Sequence, residues 1–154
     1  MNSFILQIHL CILPLLLILS VCKPSATGSK VLSVNQVWQD AASYDGKTVQ
    51  IKGHVIPGDN VACTRRACTP EEKCCNTCGA STQLVAPAKE PGGQQTILLV
   101  GEYRGKPIGC RGDECSLNCQ PAADSKVSVR GKLKLNTLSQ PSFELRVDEL
   151  KVEK

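Results

Sequence analysis

Aromatic residues are scarce in this chain: one Trp, two Tyr and two Phe in 154 residues. Past the apolar N-terminal stretch only Trp38, Tyr44, Tyr103 and Phe143 remain, so a core has to be built from aliphatic side chains. Histidine is scarcer still. His54 is the only one beyond that stretch, and it falls on the outward face of an alternating segment with no motif around it. Nucleophile elbow, HExxH, P-loop and GxGxxG are all missing, so common hydrolytic and nucleotide chemistries lack their parts. The chain reads as non-enzymatic, with no cofactor. Internal repeats and low-complexity segments are missing as well.

Charge is absent from residues 1–22, and the remainder carries all 18 basic and 14 acidic side chains. A surplus of four implies no polyanionic partner. The cysteine-rich segments set Arg65, Arg66, Lys73, Arg104, Lys106 and Arg111 against Asp59, Glu71, Glu72, Glu102, Asp113 and Glu114. That balance makes no phosphate track, and Tyr103 alone is there to stack on a base, so nucleic acid is excluded. The carboxylates Glu71, Glu72, Asp113 and Glu114 read as solvated loop charges.

What is present begins with residues 4–21, "FILQIHLCILPLLLILSV", which have the length and character of a secretory h-region or, at the limit, a membrane anchor. Three fates fit. "LSVC" resembles a lipobox with Cys22 as the lipidated residue, although Val21 stands where Gly, Ala or Ser is usual. Ala26-Thr27-Gly28 offers ordinary cleavage to a secreted form, and an uncleaved leader leaves a membrane anchor. All three put the rest of the chain outside the cytoplasm. The expected organisation is a leader over 1–22, a linker over 23–32 and one domain over 33–154.

Within that domain Ser33 and Gln36 form a capping-box pattern, and Val34, Val37, Trp38 and Ala41 fall at helical spacing, predicting a short helix over about 34–43. Trp38 reads as core packing. From Thr48 the period becomes two. Val49, Ile51 and Val55 point one way in "TVQIKGHVIPG", with Gly53 in an inward slot where a strand can bend or bulge. Further strands are expected at 81–87, 95–101, 126–135 and 142–150. Val127, Val129, Leu133 and Leu135 point inward from the fourth with Gly131 in the matching slot, and Phe143, Leu145 and Val147 point inward from the fifth.

The short helix, "YDGKTVQIKGHV", "KVSVRGKLKL" and "FELRVDEL" together resemble the OB-fold domains of small extracytoplasmic bacterial proteins, over roughly residues 33–150. The resemblance implies an all-β fold: a five-stranded OB-type barrel with a short N-terminal helix. The oligonucleotide and oligosaccharide binding of OB-folds is not carried over, because two cysteine clusters stand where such domains have plain loops.

Those clusters are Cys63, Cys68, Cys74, Cys75 and Cys78 between strands one and two, and Cys110, Cys115 and Cys119 between strands three and four. Five and three are both odd. If all eight pair within the molecule, at least one bridge joins the clusters. In an up-and-down meander strands one and three run the same way, so their loops leave one end together. The loops, about 22 and 24 residues, are too long for backbone pairing alone to order. Two disulfide-stapled loops are therefore expected, forming a rigid end that offers Arg65, Arg66, Tyr103, Arg104 and Arg111 to a protein or glycan. An alternative is a thiolate metal site for Zn or Cu. Cys75-Asn-Thr-Cys78 has ligand spacing, and Cys110 and Cys119 could complete a tetrahedron, but an oxidising compartment opposes it. Disulfide exchange fits less well, because this CxxC leads into a strand and not a helix.

Overall fold

The computed structural model describes residues 30–87, 95–137 and 141–154. The leader over 1–22, Cys22 and the cleavage reading at 26–28 lie outside the described residues. In chain order the elements are β1 (Val31–Ser33), α1 (Val34–Gln39), α2 (Ala41–Tyr44), β2 (Thr48–Pro57), β3 (Ala62–Cys63), β4 (Thr77–Ala80) and β5 (Thr82–Val85). There follow β6 (Thr96–Val100), β7 (Glu102–Tyr103), β8 (Lys106–Pro107), β9 (Gly109–Asp113), β10 (Leu117–Gln120), β11 (Lys126–Asn136) and β12 (Ser142–Val152). Among the described residues no helix is long and apolar enough to cross a membrane.

The capping box is present in full. The Ser33 hydroxyl accepts from Gln36 N, and the Gln36 side chain accepts from Ser33 N at 2.9 Å. The expected single helix is broken at Asp40, whose backbone leaves the helical region (φ −132°, ψ 50°). Its side chain takes the Ser43 hydroxyl at 2.6 Å and its carbonyl takes Ser43 N at 3.0 Å, a local alternative to the helical ladder. Val34 and Val37 are fully buried from α1. Trp38 meets Phe143 edge to face with centroids 4.9 Å apart, and its Nε1 donates to the Thr96 carbonyl at 3.2 Å. It packs, as its spacing suggested.

The main sheet is built from the strands with alternating sequence. β2 pairs with β11, β11 with β12, β12 with β6, β6 with β5, and β5 again with β2, so the pairings return to their starting strand. All are antiparallel except β6 with β12. That parallel pair corrects the up-and-down meander. The third strand, β6, leads away into the cysteine-rich region, and the chain comes back on the far side of β2 as β11. β2 and β6 do run the same way, because both are antiparallel to β5.

Inside lie Ile51, Val55, Leu84, Ile97, Val127, Val129, Leu133 and Leu145, each at 0% exposure, an aliphatic core around one Phe. β1, which the alternation does not reveal, runs parallel to β2 beside Gln50–Lys52, on the edge that β5 occupies further along. Val31 and Leu32, placed in the linker by composition, belong to it.

Both inward glycines have a structural reason. At Gly131 the β11–β12 register shifts, and a Cβ there would run into the Arg146 carbonyl. At Gly53 a Cβ would lie 2.6 Å from the Val85 carbonyl and 2.8 Å from Leu84 Cγ, so the bare backbone lets β5 close onto β2. Gly53→Ala is expected to lower stability by about 1–3 kcal/mol, as overpacking does. Amide exchange should quicken in the β2–β5 ladder and not in the β2–β11 ladder. An unchanged denaturation midpoint would count against the close approach.

Beyond β12 the chain is fastened by Glu153, whose carboxylate takes Lys52 Nζ at 2.7 Å and Lys126 Nζ at 3.3 Å. Chiefly the Lys52 hydrogen bond holds that carboxyl below its ordinary 4.5.

Candidate functional site

The cysteine clusters are not plain loops. They build a second, four-stranded antiparallel sheet in the order β10-β9-β4-β3, which continues from β5 through β4. The sequence pattern gives no strands here; backbone pairing and disulfides order these segments together. Its inward positions hold Cys78 and Cys110, 3% and 1% exposed, where an ordinary strand would show aliphatic residues. Cys110 Sγ lies 3.8 Å from the Thr82 hydroxyl and from the Ser81 carbonyl, so the cap rests on the start of β5.

All eight cysteines of the two clusters pair. Cys63–Cys78 and Cys110–Cys119 join residues directly opposite one another in the β3–β4 and β9–β10 ladders. Cys68–Cys75 closes a short loop between β3 and β4, and Cys74–Cys115 crosses between the clusters. One crossing satisfies the odd counts. The adjacent cysteines Cys74 and Cys75 thus serve two different bridges. The set Cys75, Cys78, Cys110 and Cys119 is not brought together as metal ligands: these residues fall in three separate bridges. The groupings of sulfur with carboxylate found among the described residues are instead Cys68, Cys75 with Glu114, and Cys74, Cys115 with Asp113.

The proposed contact residues divide between two surfaces. Residues 61–67 with Asn76 and Glu114 line an open groove on the cap, and Arg65 and Arg66 belong to it. Arg65 is exposed. Arg66 Nε donates to the Cys75 carbonyl at 2.9 Å, and its guanidinium lies 3.6 Å from Glu72. Arg111 stands exposed on β9, opposite Gly79 of β4 and Asn118 of β10. Tyr103 and Arg104 lie elsewhere, at the β7–β8 hairpin, where Arg104 and Gly105 both have positive φ, as a type I′ turn requires. Arg104 sits 5.0 Å from the Tyr103 ring centroid, and the pair lines a second groove against Asp148, Leu150, Lys151 and Val152.

One residue at the centre of the cap went unread in the sequence. The Asn76 amide accepts from Arg66 N at 2.8 Å through Oδ1. Its Nδ2 donates to Glu114 Oε2 at 2.8 Å and lies 3.5 Å from Cys68 Sγ. Thr64 and Thr77 flank this junction, Thr64 N donating to Thr77 O at 2.9 Å and Thr77 N to the Thr64 hydroxyl at 3.0 Å. An asparagine between clustered cysteines, with donor and acceptor on one short side chain, is the signal that could have found it. At the β9–β10 turn Asp113 Oδ1 accepts from both Cys115 N and Ser116 N at 2.9 Å. No family model, curated protein or solved structure matches this chain.

Proposed function

We propose that the protein is a non-enzymatic binding or structural module that works outside the cytoplasm and presents the cysteine-stapled cap to a protein or glycan. The observation that carries this reading is the Cys74–Cys115 bridge, which ties both cysteine clusters into one covalently fixed surface. Four bridges in a chain of this size call for an oxidising compartment. We also read the five returning strands, β2, β5, β6, β12 and β11, as an OB-type barrel, supported by the glycine-permitted closure of β5 on β2. Lipid or leader anchoring at the membrane belongs to the same proposal.

A fixed, open groove with Arg65 at its wall needs little reorganisation on binding, which favours recognition over turnover. The test is an array of extracellular glycans and secreted proteins probed with the native, oxidised chain. Arg65→Glu with Arg111→Glu is expected to abolish the strongest signal, and reduction of the bridges is expected to weaken it. Binding that is indifferent to both changes would reject the cap as the contact surface.

A further inference from the structure

We propose that Cys68, Cys75 and Glu114 form a zinc site on the cap that opens when the Cys68–Cys75 bridge is reduced. This goes beyond the binding-module reading and does not depend on it. Glu114 Oε1 lies 3.7 Å from Cys68 Sγ, and one ligand atom from each of the three residues falls within 4.8 Å of the others. A disulfide offers that carboxylate no proton and no charge. Two thiolates and a carboxylate around one point, by contrast, are three ligands of a tetrahedral zinc site with the fourth position open. Glu114 lines the open groove, which supplies the entry path.

Asn76 completes the arrangement from outside. Its Nδ2 holds Glu114 Oε2 at 2.8 Å, which leaves Oε1 turned toward the sulfur. Carboxamides and carbonyls that orient a ligating carboxylate in this way are a regular feature of metal sites. The oxygen in the set selects Zn²⁺ over Cu⁺, which prefers sulfur alone. At the neighbouring group, Asp113 Oδ1 is already engaged by two backbone N–H groups and Cys115 carries the inter-cluster staple, so that group is the poorer site.

The ligands stay together once the bridge opens. Cys63–Cys78 lies beside it in the same loop, Cys74 is held through Cys115, and the Arg66–Asn76 and Thr64–Thr77 hydrogen bonds fix the backbone on both sides. Cys68–Cys75 spans seven residues, the shortest loop of the four, so losing it costs the fold least on the chain-entropy account. Two of the remaining bridges have a sulfur shielded beneath the cap, at Cys78 and Cys110. The chemistry balances with an external dithiol as reductant. Its first sulfur displaces one cysteine thiolate, its second displaces the other, and it leaves as a cyclic disulfide, having passed two electrons to the two cysteine sulfurs. Zn²⁺ then replaces the two thiol protons, which pass to solvent.

The test uses the native chain, titrated with a dithiol in the presence and absence of Zn²⁺. Equilibrium dialysis reads the bound metal, and alkylation with peptide mapping reads the thiols. One zinc per chain is expected only after two thiols appear at Cys68 and Cys75, and zinc should shield those two from alkylation. Glu114→Gln, an isosteric change at an exposed position, should weaken zinc binding by at least about tenfold, and Asn76→Ala by about 10- to 100-fold. The map also reports whether the other three bridges persist in each variant, which separates lost zinc from lost fold. Zinc held equally by the oxidised chain overturns the proposal. So does unchanged affinity in Glu114→Gln, or zinc uptake by a Cys68→Ser/Cys75→Ser variant on reduction.

Discussion

Cys115→Ser is expected to lower the unfolding free energy by about 4 kcal/mol, the largest effect of any single bridge. The Cys74–Cys115 bridge closes 41 residues of chain, against seven, nine and fifteen for the others. In the chain-entropy account the stabilisation grows with the logarithm of that length, so the corresponding Cys68→Ser change costs about 2 kcal/mol. The other three bridges do not cut the large loop short, because each has one partner outside residues 74–115. Cys74 is exposed, so its freed thiol should also drive a dimer visible on a non-reducing gel. Urea unfolding without reductant measures the first effect. A loss no greater than that of Cys68→Ser would mean that the inter-cluster bridge does not hold the cap in place.

The second large effect lies in the core. Phe143→Ala is expected to cost about 3–5 kcal/mol. Phe143 is the largest fully buried side chain and sits opposite Ile97 of β6 and Leu135 of β11, so it joins three strands at one level. It also forms the edge-to-face contact with Trp38, which attaches α1 to the sheet. Ile97 opposite it is already fully buried, and Trp38 is tied to the Thr96 carbonyl, so neither is free to swing in and fill the space. Near-ultraviolet circular dichroism should lose the Trp38 signal in parallel with the shift in midpoint. A cost below about 1 kcal/mol, or an unaltered Trp38 signal, would show that the helix is fastened elsewhere.

How far the chain could be read without its structure depended on where apolar side chains alternate. β2 carries four inward positions and β11 five, with a glycine among each set, and both were legible to within a residue. β1 was not, because three residues show no period and their partners lie some twenty positions on, in β2. The cap sheet was hidden for a chemical reason. Cys78 and Cys110 fill the inward slots, and a cysteine in a cluster reads as a staple and not as a core residue. Parity required a crossing between clusters but could not choose Cys74 and Cys115. Hairpin register settles only half of that: it consumes Cys63 with Cys78 and Cys110 with Cys119, which leaves Cys115 to cross to one of Cys68, Cys74 and Cys75. Glu114 reads as a solvated charge in the sequence, since nothing in "GDECS" shows that Asn76, 38 residues earlier, will hold it against a sulfur.

The same inter-cluster crossing also governs how tension travels. Pulled from Lys30 and Lys154, the oxidised chain goes taut through Cys63–Cys78, back along residues 78–74, and over Cys74–Cys115. The bypassed segment contains β5 and β6, so pulling force reaches them sideways, through their hydrogen bonds to β2 and β12. With Cys63–Cys78 and Cys110–Cys119 still closed, the route along residues 78–110 is 32 residues against eight for the taut route over the crossing, a reserve of about 80 Å at roughly 3.4 Å per residue. That slack is released by one chemical event at the molecular surface, the reduction of Cys74–Cys115.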